Sequence, residues 1–264
     1  MKLAIAFVGA MAAASVLAGC AGNFDGGPGG AAGARDQQAA WPRGSCIGVL
    51  STIGHSFTVK TIGLMVFGNE EKQVAIDSWG IDNLVVNRIR AHIGSQVTTE
   101  RIAYPKEALN SQGRRGLFAE YEGPLKTHLQ ALAPSERCAR YVVVARRDTD
   151  YTGTNQTIGG LGIVRHTSFI THATFPLYSI FTLTVFDGTN WTRLRSLPAV
   201  AADQGPYMGV VRGPHVGIET AGWPDPAESA ARSARLRQAT SELVSQTLDR
   251  TLPYLRALES AGSM

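Results

Sequence analysis

The stretch Thr174–Ser196, "TFPLYSIFTLTVFDGTNWTRLRS", decides the fold. Phe175, Leu177, Phe181, Leu183 and Val185 share one phase of a two-residue alternation, the period of a strand with one face on a core. "DGTN" at 187–190 is a tight-turn sequence, and a partner strand is predicted from Trp191 onward. The stretch therefore reads as a β-hairpin. Some thirty residues upstream, "RYVVVARR" (140–147) carries three successive valines inside the apolar run 141–145. A short run that is apolar at successive positions is the pattern of a strand buried on both faces.

Working outward toward the amino terminus, "CIGVLSTIGHSFTVKTIGLMVF" reads as two strands, 46–53 and 57–67, joined at "GHSF" as a first hairpin. Phe57 and Val59 share one phase and Ile62, Leu64 and Val66 the other, so a bulge is expected near Thr61. A helix is predicted in "DSWGIDNLVVNRIRAHIG", with Asp77 or Ser78 as its cap. Ile81, Leu84, Val85, Ile89 and Ile93 form its apolar stripe, and Gly94 its exit. "VTTERIAY" (97–104) reads as a strand, and Leu125, Leu129 and Leu132 mark a short helix with Pro124 in its first turn.

Toward the carboxyl terminus, "DPAES" opens a long helix. Asp225 is its expected cap, Pro226 its first residue and Glu228 the far side of a capping box. Leu236, Leu243, Leu248, Leu252, Leu255 and Leu258 recur at helical spacing, and Pro253 is expected to kink the helix about four residues upstream. Strands and helices are mixed rather than alternating, and no internal repeat is present. The expected class is α+β: one domain over 41–264, with a single mixed β-sheet, helices packed mainly on one face and a long C-terminal helix.

The chain has 264 residues, 44% hydrophobic and 17% charged, the balance of a globular protein. Its formal charge of +4 is spread along the chain, and no block of five basic residues occurs, so a nucleic-acid footprint is not supported. Residues 1–20 read as a secretory signal, with Lys2 ahead of an apolar segment too short for a span of about 20 apolar residues. That segment ends in "LAGC". Leu17, Ala18, Gly19 and Cys20 resemble the lipobox of bacterial lipoproteins. The resemblance implies that Cys20 carries the lipid and becomes the mature amino terminus; the alternative is an ordinary signal with an incidental cysteine. Ala21, where inner-membrane lipoproteins carry aspartate, implies by the same resemblance the periplasmic face of the outer membrane. Residues 21–40, dominated by Gly and Ala, read as a flexible tether.

Three cysteines are present. With Cys20 acylated, Cys46 and Cys138 remain, each at the start of a predicted strand. Neighbouring parallel strands would place them together as a disulfide, and two buried thiols are the alternative. The lipobox, "RYVVVARR", the hairpin around "VFDGTNW" and the closing amphipathic helix together resemble the α/β domains of the curli-secretion and penicillin-binding-protein-activator lipoproteins and of the TolB amino-terminal domain. The first hairpin departs from their pattern, where one strand leads directly to a helix. The resemblance is architectural, and no functional residue is carried over from it.

Candidate chemistry is thin. "IGGLGIVRH" (158–166) has the glycines of a phosphate cradle but lacks the Lys-Ser/Thr that completes one, and a hairpin or loop explains it better. His166, His172, Asp148 and Asp150 match no metal-ligand spacing, and Ser168, His172 and Asp150 form a triad only if the fold assembles them. No cofactor is implied. Two polar, Gly-, Thr- and Pro-rich stretches, around 148–172 and 203–224, read as long loops, and long ordered loops are often functional. They carry Tyr151, Tyr207, Arg212 and Trp223, residue types that dominate partner surfaces. The expected function is a non-enzymatic, lipid-anchored envelope protein that binds or scaffolds another envelope protein or a glycan. The alternatives are a periplasmic hydrolase with a loop-assembled site, or a subunit of an outer-membrane assembly.

Overall fold

The computed structural model describes residues 45–63, 68–104, 127, 130, 131, 138–166, 174–202 and 210–256. The predicted helix at Leu125, Leu129 and Leu132 and the leucine at Leu258 lie outside them.

The predicted hairpin is the spine of the fold. Strand β8 (Thr174–Asp187) turns at 188–190 into β9 (Arg193–Pro198), antiparallel, with a register shift at Val185/Phe186. The Asp187 carboxylate accepts the Thr189 amide at 2.9 Å and closes the turn. Gly188 is required there, because a Cβ would collide with the Cys138 carbonyl. Strand β5 (Arg140–Arg146) pairs antiparallel with the second half of β8 and parallel with β1 (Cys46–Ser51), which pairs parallel with β4 (Thr98–Arg101). As its sequence requires, β5 is buried on both faces: Val142 and Val144 on one side, Tyr141 and Val143 on the other.

The first half of β8 has different neighbours. It pairs with β7 (Gln156–His166) and with β10 (His215–Glu219). β7 runs parallel to β2 (Ser56–Ile62), which carries β3 (Glu70–Ala75) on its far side, and β6 (Asp148–Tyr151) pairs with the start of β7. The sheet order is β3-β2-β7-β8-β5-β1-β4, a mixed sheet as expected.

Several expectations need correction. β1 and β2 do not pair: each lies beside parallel partners on opposite sides of β8, so there is no first hairpin. Both ladders of β2 run in register through Thr61 without a bulge. The stretch 148–166 is a hairpin, β6 to β7, and the stretch 198–226 contains β10, so neither is a single long loop. The glycines of "IGGLGIVRH" lie in that hairpin, and in β7 Gly162 lies under the Tyr178 hydroxyl, which a Cβ would strike, so that they make room inside the sheet.

Helix α1 (Ile81–Ile93) buries Ile81, Val85, Val86, Ile89 and Ile93 and ends at Gly94, whose amide bonds the Arg90 carbonyl. Leu84 is half-buried. Asp77 and Ser78 belong to a 3-10 turn that a left-handed Gly80 separates from the helix, so neither caps it. Helix α2 (Ala234–Thr251) is capped by Ser233, whose Oγ accepts the Leu236 amide at 3.2 Å. The segment 227–232 is itself a 3-10 turn, so Asp225 and Glu228 form no capping box, and Glu228 pairs instead with Lys72 at 2.9 Å. Pro253 acts on its immediate neighbour: the helix breaks at Leu252 and resumes as the short α3 (Pro253–Arg256). Leu236, Leu243, Leu248, Leu252 and Leu255 are all buried, as their spacing requires.

Both helices pack on one face of the sheet, against Phe57, Val144, Ile163, Leu177, Phe181 and Leu183 among others. Trp79 is buried in the same layer and donates its indole N–H to the Ala231 carbonyl at 3.0 Å. The other face holds two smaller clusters. One gathers Tyr141, Trp191, Phe186 and Cys138, with Tyr141 and Trp191 stacked at 4.6 Å. The other gathers Tyr151, Ile158, Tyr178, Ile180 and Val211. Cys46 and Cys138 are bonded, their Cα atoms 4.7 Å apart at the starts of neighbouring parallel strands.

Candidate functional site

A cleft of about 480 Å³ lies on the helix-side face of the sheet, where β3, β2 and β7 extend past the helices. Val59, Thr61, Glu70, Lys72 and Arg165 come from the strands; Trp223, Pro224, Asp225, Ala227 and Glu228 close the other wall. The register explains the grouping, since Val59 lies opposite Lys72 and Thr61 opposite both Glu70 and Arg165. Residues two apart on a strand share a face, so Lys72 and Glu70 point to the same side as Val59 and Thr61. The Trp223 wall is held by an edge-to-face contact with Phe175 at 5.2 Å and by the Lys72–Glu228 ion pair across the mouth. Both ions of that pair are more than half exposed, so it shapes the cleft more than it stabilises the fold.

The guanidinium of Arg165 lies over the Trp223 ring, 4.6 Å from its centroid. Its one hydrogen bond to a described residue is a long one, 3.4 Å to the Thr61 hydroxyl, and its buried Nε has no partner. On the opposite face of the strands, Lys60 is buried and donates to Glu71 at 2.9 Å and to the Thr157 carbonyl at 2.8 Å. Cations held this way, one stacked and one bonded to two acceptors, are fixed in position.

A second, smaller recess of about 270 Å³ opens at the carboxyl ends of β1 and β4, beside the start of α1. Its centre is Asp82, which accepts hydrogen bonds from the Ser51 hydroxyl at 2.6 Å, the Gly54 amide at 2.9 Å and the Tyr104 hydroxyl at 3.3 Å. Burial pushes the Asp82 carboxyl above its ordinary value, against these three donors and the nearby Arg101, which pull it down. Burial and the Asp82 carboxylate push the Tyr104 hydroxyl upward in turn. Arg101 is engaged by the Asn83 side chain. These contacts tie the ends of β1 and β4 to the first turn of α1, where an acidic residue is favoured by the helix dipole.

The residues singled out in the sequence fall in different places. Trp223 lines the larger cleft. Arg212 is exposed, beside Val211, which bridges to Tyr151. Tyr151 is only 3% exposed and meets His166 edge-on at 5.9 Å, so it packs the core instead of facing a partner. Asp148 is held by Arg146 at 2.7 Å. Cys20, Tyr207, Ser168 and His172 lie outside the described residues. Among the described residues the acidic, Cys and His side chains that converge at ligand distance are Cys46, Cys138 and Glu100, and the two sulfurs are already joined. Sequence reasoning missed Arg165, Glu70 and Asp82. Their partners lie across the fold, and Thr61 and Arg165 meet only through the parallel register of β2 and β7.

Among the described residues no helix is long and apolar enough to cross a membrane. No family model matches the chain, and no curated protein matches it. Solved structures similar to it include a DUF330-family protein of Xanthomonas campestris, 11% identical, covering 80% of this chain and 88% of that one with a TM-score of 0.30. The PelC dodecamer of Paraburkholderia phytofirmans is 11% identical over 81% of this chain and 94% of that one, with a TM-score of 0.28. Lipoprotein GNA1162 of Neisseria meningitidis is 10% identical over 74% of this chain and 97% of that one, with a TM-score of 0.26.

Proposed function

We propose that this chain is an exported lipoprotein, acylated at Cys20 and tethered by residues 21–40, that binds another component of the cell envelope through the cleft at Trp223. The observation that carries export is the Cys46–Cys138 bond, because structural disulfides persist in oxidising compartments outside the cytoplasm. "LAGC" ahead of a Gly-rich stretch supplies the anchor. Several acyl chains on one residue give stable attachment, since each buried methylene contributes about 0.8 kcal/mol and one chain alone is marginal. The binding role rests on the cleft: a half-buried indole, a stacked guanidinium and exposed carboxylates are the composition of a recognition surface.

Two experiments test this reading. Cys20→Ser is expected to move the protein from the membrane to the soluble fraction; a variant that still sediments with membranes would overturn the anchor. Chemical crosslinking in the native envelope is expected to give an adduct that Trp223→Ala weakens. An adduct of undiminished yield from folded Trp223→Ala protein would place the working surface elsewhere.

A further inference from the structure

We propose that the Trp223 cleft takes a diamino monocarboxylic ligand of the lysine type: two ammonium groups and one carboxylate joined by an aliphatic chain. This rests on the cleft being the binding surface and adds the chemistry of what it binds. The argument is one of charge left over. Glu71 is matched by Lys60 and Glu228 by Lys72, each at 2.9 Å. Once these pairs are set aside, the lining retains the exposed carboxylates of Glu70 and Asp225, neither in an ion pair among the described residues, and the guanidinium of Arg165. The residue is two negative charges and one positive.

Arg165 is the discriminating group. It is stacked on Trp223, its Nε is buried without a partner, and its bond to Thr61 is long. A planar fork of donors held in place and underused matches a carboxylate, which takes two parallel hydrogen bonds. Glu70 and Asp225 stand on opposite walls, one on β3 and the other after Trp223, so two separate cations fit them better than one. Between the charges the lining is apolar, with Val59, Pro224 and Ala227, which suits a methylene chain. The volume of about 480 Å³ is within the ~300–1,000 Å³ of small-ligand sites, whereas the 270 Å³ of the Asp82 recess is below it. A ligand with two positive charges and one negative is the complement of what remains.

Free lysine and a short peptide that begins with lysine both carry this set of charges. The test is equilibrium dialysis of the detergent-solubilised full chain against L-lysine and, separately, lysyl-alanine. Norleucine, which lacks the second amine, and lysinamide, which lacks the carboxylate, serve as controls. Saturable binding of one molecule per chain is expected for L-lysine, lysyl-alanine or both, with norleucine and lysinamide weaker by about tenfold or more. Tighter binding of lysyl-alanine would identify a peptide end as the source, and tighter binding of L-lysine the free amino acid. Glu70→Gln with Asp225→Asn is expected to weaken binding about tenfold without moving the thermal midpoint, since both side chains are exposed. Arg165→Gln is expected to erase the difference between lysine and lysinamide. No saturable binding of either probe, equal binding of norleucine, or full affinity in the Glu70/Asp225 double variant would each overturn the proposal. If envelope crosslinks depend on Trp223 while neither probe binds, the ligand class fails and the surface stands. If crosslinks are indifferent to Trp223, the surface fails, and the dialysis still decides what the cleft can hold.

Discussion

β8 serves two unlike halves of one sheet. Beyond Phe181 its neighbours are β5, β9 and, through β5, the parallel pair β1 and β4. There the helix-side core and the Tyr141–Trp191 cluster press on both faces of β5, and the Cys46–Cys138 bond ties β1 to the start of β5. Before Phe181 its neighbours are β7, β10 and, through β7, β2 and β3. That half buries Lys60 at 5% exposure, buries Tyr178 completely so that its hydroxyl is pushed upward, and leaves open the cleft where Arg165 lies on Trp223. Charges held in an interior cost stability unless paired, and a cleft forfeits packing. The same strand therefore supports a half optimised for cohesion and a half that retains polar groups a core does not need. Such groups are characteristically kept where binding requires them.

The largest effect should come from removing the bridge. The bonded cysteines are 92 residues apart, and a closed loop of that length contributes on the order of 4–5 kcal/mol in the chain-entropy model. Cys46→Ser with Cys138→Ser is expected to lower the urea midpoint accordingly. Hydrogen exchange should show β1, β4 and β5 opening first, and a uniform loss across β2 and β7 would break the division between the halves. A smaller effect is expected from Lys60→Met, which keeps the aliphatic stem but strands the Thr157 carbonyl. Glu71 is partly exposed and regains water, so a loss of ~1–2 kcal/mol is expected by denaturant titration. A more stable Lys60→Met protein would sharpen the contrast, because it would mean that the buried ammonium is kept at a net cost.

The smallest effect probes Asp82, a carboxyl that burial shifts on the bridged side. The fold raises the Asp82 carboxyl above its unfolded value, so the folded state holds that proton more tightly. The stability this contributes is fully present below the unfolded value and is lost as pH rises through the raised folded one. Asn at this position keeps an acceptor for Ser51 and Gly54 and can donate to the Tyr104 oxygen. Relative to Asp82→Asn, the wild-type thermal midpoint is therefore expected to fall as pH moves from acid to neutral. A wild type that gains on the variant over that range would show that the three donors outweigh burial.

Local pattern disclosed much of the bridged half. Valines in succession gave β5, alternation gave β8, a tight turn joined β8 to β9, and two cysteines at strand starts pointed to the bridge. The other half was hidden because its information is non-local. β1 and β2 are contiguous in sequence with a plausible turn between them, and only the competing parallel partners β5 and β7 separate them. Gly159, Gly160 and Gly162 read as a hairpin or loop in sequence, with nothing local to show that in the fold they admit Asp148, Arg146 and Tyr178 at close quarters. Tyr151 looked like a contact residue because its neighbours are polar, yet the return of Val211 beside it closes it over. Trp223 was visible as an aromatic in a Gly- and Pro-rich stretch, but its partner Arg165 lies 58 positions earlier and no spacing rule connects them.

The position of the bridge also has a mechanical consequence. Ser45 is the first described residue of the fold, and the next residue is bonded to the start of β5. Tension arriving through the preceding chain would not peel β1 away residue by residue. It would pass through the sulfur–sulfur bond into β5 and load the parallel β4-β1-β5 ladders along their length, so that many hydrogen bonds must slide together. Resistance to such a pull is governed by the rate of unfolding rather than by equilibrium stability. A protein leashed at its amino terminus and caught by a partner at the opposite half of the sheet would bear that strain through its most cohesive part.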